Sequence, residues 1–332
     1  MKSKVVLFLM LMIGLGSLLK GQSVMTVTGE QKIAPVMTWL THEHVLVDFI
    51  GAGLITPDDY EEDEVLRTML SYVFDLRKYR VRYFVDATPQ YLGRNPKLLQ
   101  KFSTSTAVSI ITNTGLYGAG QNKYIPRSAM DKSAEQLAAD WIDEFKNGIG
   151  DTGIKPGFIK IGVDAQKPLH AMHQKLVKAA ALTHKATGLT IASHTGEAVG
   201  LWPQLEILKK EGVSPSAFIW VHAQGEKDQN MYLQAARQGC WVSLDGMGTG
   251  SIDSYVEKLV FAKNNGILDH ILISSDAGWF DPQKEEQEIV PYTNIHEKLI
   301  PKLKEVGFTV DDINQLISVN PAKAFAIRVR KV

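Results

Sequence analysis

The chain has 332 residues, 36 basic against 36 acidic side chains, 45% hydrophobic residues and one cysteine, Cys240. That length carries one large α/β domain with a substantial core. The neutral balance removes the electrostatic footprint of a nucleic-acid binder, and a lone cysteine excludes an intramolecular disulfide.

The amino terminus reads as a secretory leader. Lys2 and Lys4 supply the positive flank, residues 5–19 an apolar core too short for a comfortable membrane span, and Lys20-Gly21-Gln22-Ser23 the return to polar residues. The expected division is a signal peptide over 1–22, cut near Gly21 or Gln22, and a single domain over 23–332. An uncleaved anchor is the alternative reading. Export without disulfides suits a periplasmic or secreted protein, with no stable membrane insertion once the leader is removed.

From there extended and helical runs alternate. Strands are expected over 36–40, 82–85, 108–112, 157–161, 189–193, 218–221, 240–244 and 270–274. Eight such runs are the number a (β/α)8 barrel, the TIM barrel, requires. Helices are expected over 64–79, 133–147, 167–187, 201–211, 228–238 and 252–265; in the fourth, Leu201, Leu205 and Leu208 form a stripe for a barrel wall. Gly148, Gly188, Gly212, Gly239 and Gly266 stand where left-handed helix caps belong. Longer loops, 115–133 after the third strand and 276–292 after the eighth, would lie at the carboxyl face, where barrels bind substrates. The acidic run Glu285-Glu286-Gln287-Glu288 reads as solvated surface.

The chemistry-bearing residues cluster at strand ends. His42 and His44 close the first run, and side chains two apart on a strand share a face. Lys160, His194, His222 and Asp276 end later runs. Each alone has a bland reading: a lysine that snorkels or pairs with Asp164, or a histidine hydrogen-bonded at the rim. Together, six residues on one rim argue for metal. Imidazole and carboxylate suit zinc and similar divalent ions, and two ions sharing a water would lower its pKa towards neutrality. A lysine joins such a site only as the carbamate formed with carbon dioxide. His170, His173, His184 and His296 fall in helical stretches and His270 precedes a strand; these read as surface or helix-cap residues.

At this point the sequence resembles the phosphotriesterase family of the amidohydrolase superfamily. The carriers are Met25-Thr26-Val27-Thr28-Gly29, Thr41-His42-Glu43-His44 with Val47-Asp48-Phe49, Gly157-Phe158-Ile159-Lys160-Ile161, Ser193-His194-Thr195, Val221-His222, Ser275-Asp276 and Asn320-Pro321-Ala322-Lys323. The resemblance implies a hydrolase with two divalent ions, zinc by expectation. His42, His44 and Asp276 would bind one ion, His194 and His222 the other, and carbamylated Lys160 would bridge them. Tyr117 resembles the active-site tyrosine of the family's lactonase branch. Two departures stand out. Gly246 follows Asp245 where relatives acting on phosphotriesters and acyl-homoserine lactones carry His or Arg. Gly225 stands in place of a relay aspartate, with Glu226 the nearest substitute.

The resulting expectation is a small-molecule hydrolase in which Asp276 accepts the proton and Lys160 serves the reaction as its carbamate. Tyr117, Gln224, Asp245, Met247 and Trp279 are its candidate substrate contacts. With no arginine to clamp a phosphate, a lactone or carboxylic ester ranks ahead of a phosphotriester; an amidase or a non-catalytic exported binding protein ranks lower. A homodimer stays open.

Overall fold

The computed structural model describes residues 21–55 and 60–332; residues 1–20 of the leader expected over 1–22 lie outside them. An antiparallel hairpin, β1 (Ser23–Thr26) with β2 (Gly29–Lys32), precedes the barrel. The barrel strands follow as β3 (Thr38–Leu46), β4 (Val81–Asp86), β5 (Ser109–Ile111), β6 (Asn113–Thr114), β7 (Phe158–Gly162), β8 (Ile191–His194), β9 (Phe218–Val221), β10 (Trp241–Leu244) and β11 (Ile271–Ile273). All barrel pairings are parallel, in the neighbour order β3-β4-β5 and β6-β7-β8-β9-β10-β11. β5 and β6 are consecutive halves of one barrel strand, parted at Thr112. Counted so, the expected eight runs are the eight barrel strands, in the expected order.

The seam between β11 and β3 is closed by the Ser274 side chain and a backbone bond. Ser274 Oγ accepts from two successive amides, Thr41 N and His42 N, each at 2.9 Å, and Asp276 N donates to His42 O at 3.1 Å. Beyond the seam β12 (Gly278–Phe280) adds a parallel strand beside the carboxyl end of β3. The eighth loop is therefore partly a strand, where only loop was expected.

Period-two alternation sorts the strand residues into two cores. Leu40, Phe84, Ile110, Ile159, Ile161, Ile191, Phe218, Val242 and Ile271 pack outward against the helices. Trp39, Tyr83, Val85, Ile111, Phe158, Ala192, Ile219, Trp241 and Leu272 fill the barrel interior. Trp39 is 1% exposed, stacks on Tyr83 at 4.1 Å and meets Phe325 at 6.0 Å. Truncating so large a buried ring costs about 3–5 kcal/mol. Asn320 of the terminal motif serves the frame, donating to Leu268 O and Ile271 O at 2.8 and 2.7 Å.

The helices α1 (Glu62–Asp75), α2 (Pro96–Thr106), α3 (Arg127–Met130), α4 (Ala134–Asn147), α5 (Ala171–Thr187), α6 (Ala198–Lys210), α7 (Asn230–Arg237) and α8 (Ile252–Asn264) surround the strands. α2, α3 and the terminal α9 (Ile300–Glu305), α10 (Val310–Asn314) and α11 (Asn320–Phe325) are absent from the sequence reading. Asn95-Pro96 looks like a turn but is an N-cap with proline in the first turn: Asn95 Oδ1 accepts from Leu98 N at 3.0 Å. Gly188 caps α5 with φ 76, as expected, whereas Gly148 takes φ 108 and ψ 158, outside the left-handed helical region. His170 caps α5, but His173 and His184 are fully buried, not surface residues. His173 Nε2 holds Gly118 O at 2.9 Å, and His184 Nδ1 holds Leu189 O at 2.8 Å.

Candidate metal centre

A register slip places the first two histidines. The β3–β4 ladder shifts between Leu40 and Glu43, so Leu40 faces the helices while His42, two residues on, faces the barrel axis. Parity then resumes: His44 points inward and Glu43 outward. His42 and His44 consequently stand inside a nine-residue strand, not just past its end. Asp276 and His222 reach the same space from left-handed backbone, φ 49 and φ 60. Non-glycine residues held there mark sites where the surroundings impose a conformation.

His44 Nε2 is 3.0 Å and His42 Nε2 3.7 Å from Asp276 Oδ1. One ligand atom from each of these residues lies within 4.8 Å of the others, the single such cluster of His, Cys, Asp or Glu among the described residues. Lys160, 2% exposed, brings its Nζ to 3.4 Å from His42 Nε2. The His222 ring packs 4.4 Å from His194 and 5.0 Å from His42. All six sequence candidates thus line one pocket.

The rings are oriented from behind. Thr88 Oγ1 donates to Leu46 O at 2.9 Å and therefore accepts from His44 Nδ1 at 2.8 Å, leaving His44 Nε2 as a bare lone pair. Asp245 Oδ1 takes His222 Nδ1 at 2.7 Å, and its Oδ2 lies 3.4 Å from His42 Nδ1. Carboxylates and hydroxyls behind imidazoles fix the tautomer that a metal ligand needs.

Burial and then the Lys160 charge lower His42 to about 4. Burial, His222 and Lys160 hold His194 well below the usual histidine range. Burial also brings Lys160 down to about 8. Burial opposes ionisation of Asp276, yet the imidazoles of His44, His42 and His222 that face it outweigh burial and hold its carboxyl below the usual range. His42 and His194, held neutral, are metal-ready donors beside that carboxylate; burial also lowers His222, but the Asp245 carboxylate outweighs it and holds His222 above the usual histidine range. Asp276 Oδ1 is buried and, despite the nearby His44, accepts no well-aligned hydrogen bond. An unsatisfied acceptor beside converging lone pairs fits a cation.

The pocket encloses about 140 Å³. Its walls are Val47, Phe49, Ala87, Thr88, Pro89, Leu92, Tyr117 and Trp279. Tyr117 and Trp279, two of the expected substrate contacts, thus line the pocket, with rings 5.0 Å from His194 and 5.5 Å from His44. Three other expected contacts do not. Asp245 is fully buried behind the histidines, and Met247 is 1% exposed in the outer core. Gln224 turns back so that its Oε1 accepts from Asp245 N at 3.1 Å. A Cβ on Gly246 would meet Gln224 Nε2 at 2.6 Å and Tyr255 OH at 2.9 Å, so those side chains occupy the space that the glycine frees. Glu226 caps α6 through Ala198 N at 2.9 Å and accepts from Asp228 N, outside the pocket. Thr88 and Leu92 escaped the sequence reading, and Phe49 entered it through the resemblance alone, not as a pocket residue; for Thr88 the Ala87-Thr88-Pro89 step directly after β4 was the available signal.

The sequence model of the Phosphotriesterase family matches residues 22–325. An aryldialkylphosphatase of Saccharolobus solfataricus is 30% identical over 303 residues, covering 86% of this chain and 94% of that protein. A "phosphotriesterase homology protein" of Escherichia coli is 27% identical over 290 residues, covering 86% and 97%. Among solved structures, a triple mutant of an organophosphorus hydrolase from Deinococcus radiodurans superposes with a TM-score of 0.82 at 26% identity, covering 91% of this chain and 97% of that one.

Proposed function

The chain belongs to the phosphotriesterase family, and from that premise we propose that this metal-dependent hydrolase opens neutral esters with a pair of divalent ions, phosphotriesters ahead of lactones. His42, His44 and Asp276 would hold one ion and His194 and His222 the other, with Lys160 between them as a carbamate; zinc suits the donor set. When bound, such ions polarise the ester oxygen and lower the pKa of water towards neutrality. Asp276 is the pocket carboxylate that takes the proton from the attacking water. Tyr117, whose phenol burial pushes well above its usual range, remains a proton donor to substrate at any working pH. Phe49, Leu92 and Trp279 hold the apolar substituents and limit water.

The observation that carries this reading is a small pocket with an apolar wall and a ligand-bearing floor, lined by no arginine and by one lysine. Such a wall suits an uncharged substrate. The sequence alone places lactones first; the names of the relatives weigh towards organophosphates, and a phosphotriester is as uncharged as a lactone. The second reading keeps its own support in Tyr117, which stands beside His194.

The deciding test is kcat/KM for metal-loaded protein across matched dialkyl aryl phosphates, aryl esters and lactones. The proposal expects measurable turnover of both classes, the phosphate ahead. A lactone or ester ahead by more than about a hundredfold, about 2.7 kcal/mol of transition-state preference, reverses the order. Absence of any metal-dependent hydrolysis sinks the reading.

A further inference from the structure

Glu43 separates the two histidines of β3 and points away from the pocket. Its carboxyl group is fully buried, a costly placement unless hydrogen bonds offset it. Oε1 accepts from Ser274 Oγ at 2.7 Å and from Ser275 N at 2.9 Å; Oε2 accepts from Ala277 N at 2.8 Å. Between those amides, Asp276 N donates to His42 O at 3.1 Å. Three successive amides, 275 to 277, are therefore held by two adjacent residues of β3. Ser274 completes the clasp, since the hydroxyl it offers Glu43 also accepts from Thr41 N and His42 N at the register slip. The left-handed Asp276, at φ 49, sits in the middle of this grip.

We propose that Glu43 is a positioning residue that sets the spacing of His42, His44 and Asp276 by clamping the backbone on both sides of Asp276 across the barrel seam. It touches no substrate and lines no part of the pocket. It acts through Asp276: without the clamp, the 275–277 backbone relaxes, and the carboxylate is no longer held 3.0 Å from His44 Nε2. The inference rests on the reading of these three residues as a metal site.

The test is Co2+ binding to the metal-stripped full chain, by visible absorption and chelator competition. The variants are Glu43→Gln, Ser274→Ala, Asp276→Asn and the double variant Glu43→Gln/Asp276→Asn. Gln is isosteric but turns an NH2 towards one of the donors that Glu43 accepts. Glu43→Gln is expected to weaken Co2+ binding roughly 10–100-fold, the usual effect of losing a group that supports a metal ligand, and Ser274→Ala to weaken it less. In the Asp276→Asn background, Glu43→Gln should add little, because both act through one carboxylate. A merely structural role would leave the two effects independent, and additivity overturns the proposal, as does wild-type affinity in Glu43→Gln. If Glu43→Gln fails to fold, by circular dichroism, Ser274→Ala with wild-type affinity overturns it instead. Wild-type protein that takes up no Co2+ overturns the metal-site reading itself; uptake by wild type with unchanged variant affinity overturns this inference alone.

Discussion

Asp245 holds His222 from behind: its Oδ1 is 2.7 Å from His222 Nδ1, and both oxygens lie within 3.3 Å of the His222 amide. The same carboxylate reaches His42 Nδ1 at 3.4 Å, so one buried group orients imidazoles from β3 and from the end of β9. Burial alone would raise its pKa, but His222 and His42 hold it well below the usual carboxylate range. Asp245→Asn should therefore weaken metal binding about 10–100-fold. Asp245→Ala should also cost about 3–5 kcal/mol of stability, because the partners of a buried charge are left unpaired. Chelator competition and urea unfolding measure the two effects; wild-type metal affinity in Asp245→Asn would show that His222 is oriented by something else.

The buried, neutral His42 should cost the metal-free protein stability in mild acid. His42 titrates near 4 when folded, against 6.5 as the reference. Between those values His42 binds more protons in the unfolded chain, so its own contribution to stability rises with pH through this window; buried Glu43, pushed up to about 8, contributes in the opposite sense and drops out of a comparison with a His42 variant. The penalty is full below pH 4 and absent above 6.5, on the order of 3 kcal/mol for this group. His194 is shifted in the same direction, again by burial first. Urea midpoints from pH 4.5 to 6.5 should climb more steeply for stripped wild type than for His42→Gln. Equal slopes would mean that His42 is not buried in its neutral form.

The strand ends were legible because chemistry and periodicity coincide there: Lys160, His194 and His222 each follow an apolar run and each enters the pocket. The register slip that turns His42 inward was not, since Trp39-Leu40-Thr41-His42 reads as unbroken alternation while the slip depends on Ser274, more than two hundred residues away. Asp245 and Glu43 were misread or passed over for the same physical reason. A carboxylate next to a ligand in sequence looks like a pocket residue or a spacer until its partners across the barrel are known. Asp245 belongs to His222, and Glu43 to Ser275 and Ala277. The terminal helices were lost because α9 and α11 run on directly from π-helical turns, Ile295–Leu299 and Gln315–Val319, which break the period of 3.6 residues on which a helix reading rests.

Lys160 offers a direct test of the proposed bridge. Its amine is buried beside His42, and burial brings it to about 8, so at pH 7 roughly a tenth is neutral and able to add carbon dioxide. Lys160→Ala should bind one ion in place of two and lose about a hundredfold or more in kcat/KM, about 2.7 kcal/mol. Bicarbonate should speed reconstitution of stripped wild type and leave Lys160→Ala unaffected. Two ions bound to Lys160→Ala at wild-type affinity would remove the lysine from the site.

We propose export on the strength of Lys2, Lys4 and the apolar stretch 5–19. Amino-terminal sequencing of protein from a secreting host should find a mature chain starting near Gln22 or Ser23, in keeping with a leader of about 15–30 residues. An intact amino terminus in the cytosol would count against it.

Tyr117 should separate the two substrate classes. Its ring lies 5.0 Å from that of His194, and its backbone is pinned to β7 by the bridge to Gly162. A Cβ on Gly162 would meet the Tyr117 ring at 2.7 Å, so the ring has a fixed seat and Tyr117→Phe should fill it unchanged. What disappears is one donor. If the phenol bonds a lactone oxygen, kcat/KM for lactones should fall by about 1–2 kcal/mol, roughly five- to thirtyfold. Phosphotriesters, held by Phe49, Leu92 and Trp279, should change less. Equal losses on both classes would assign the hydroxyl to a step common to both, and no loss on either would leave Tyr117 as wall alone.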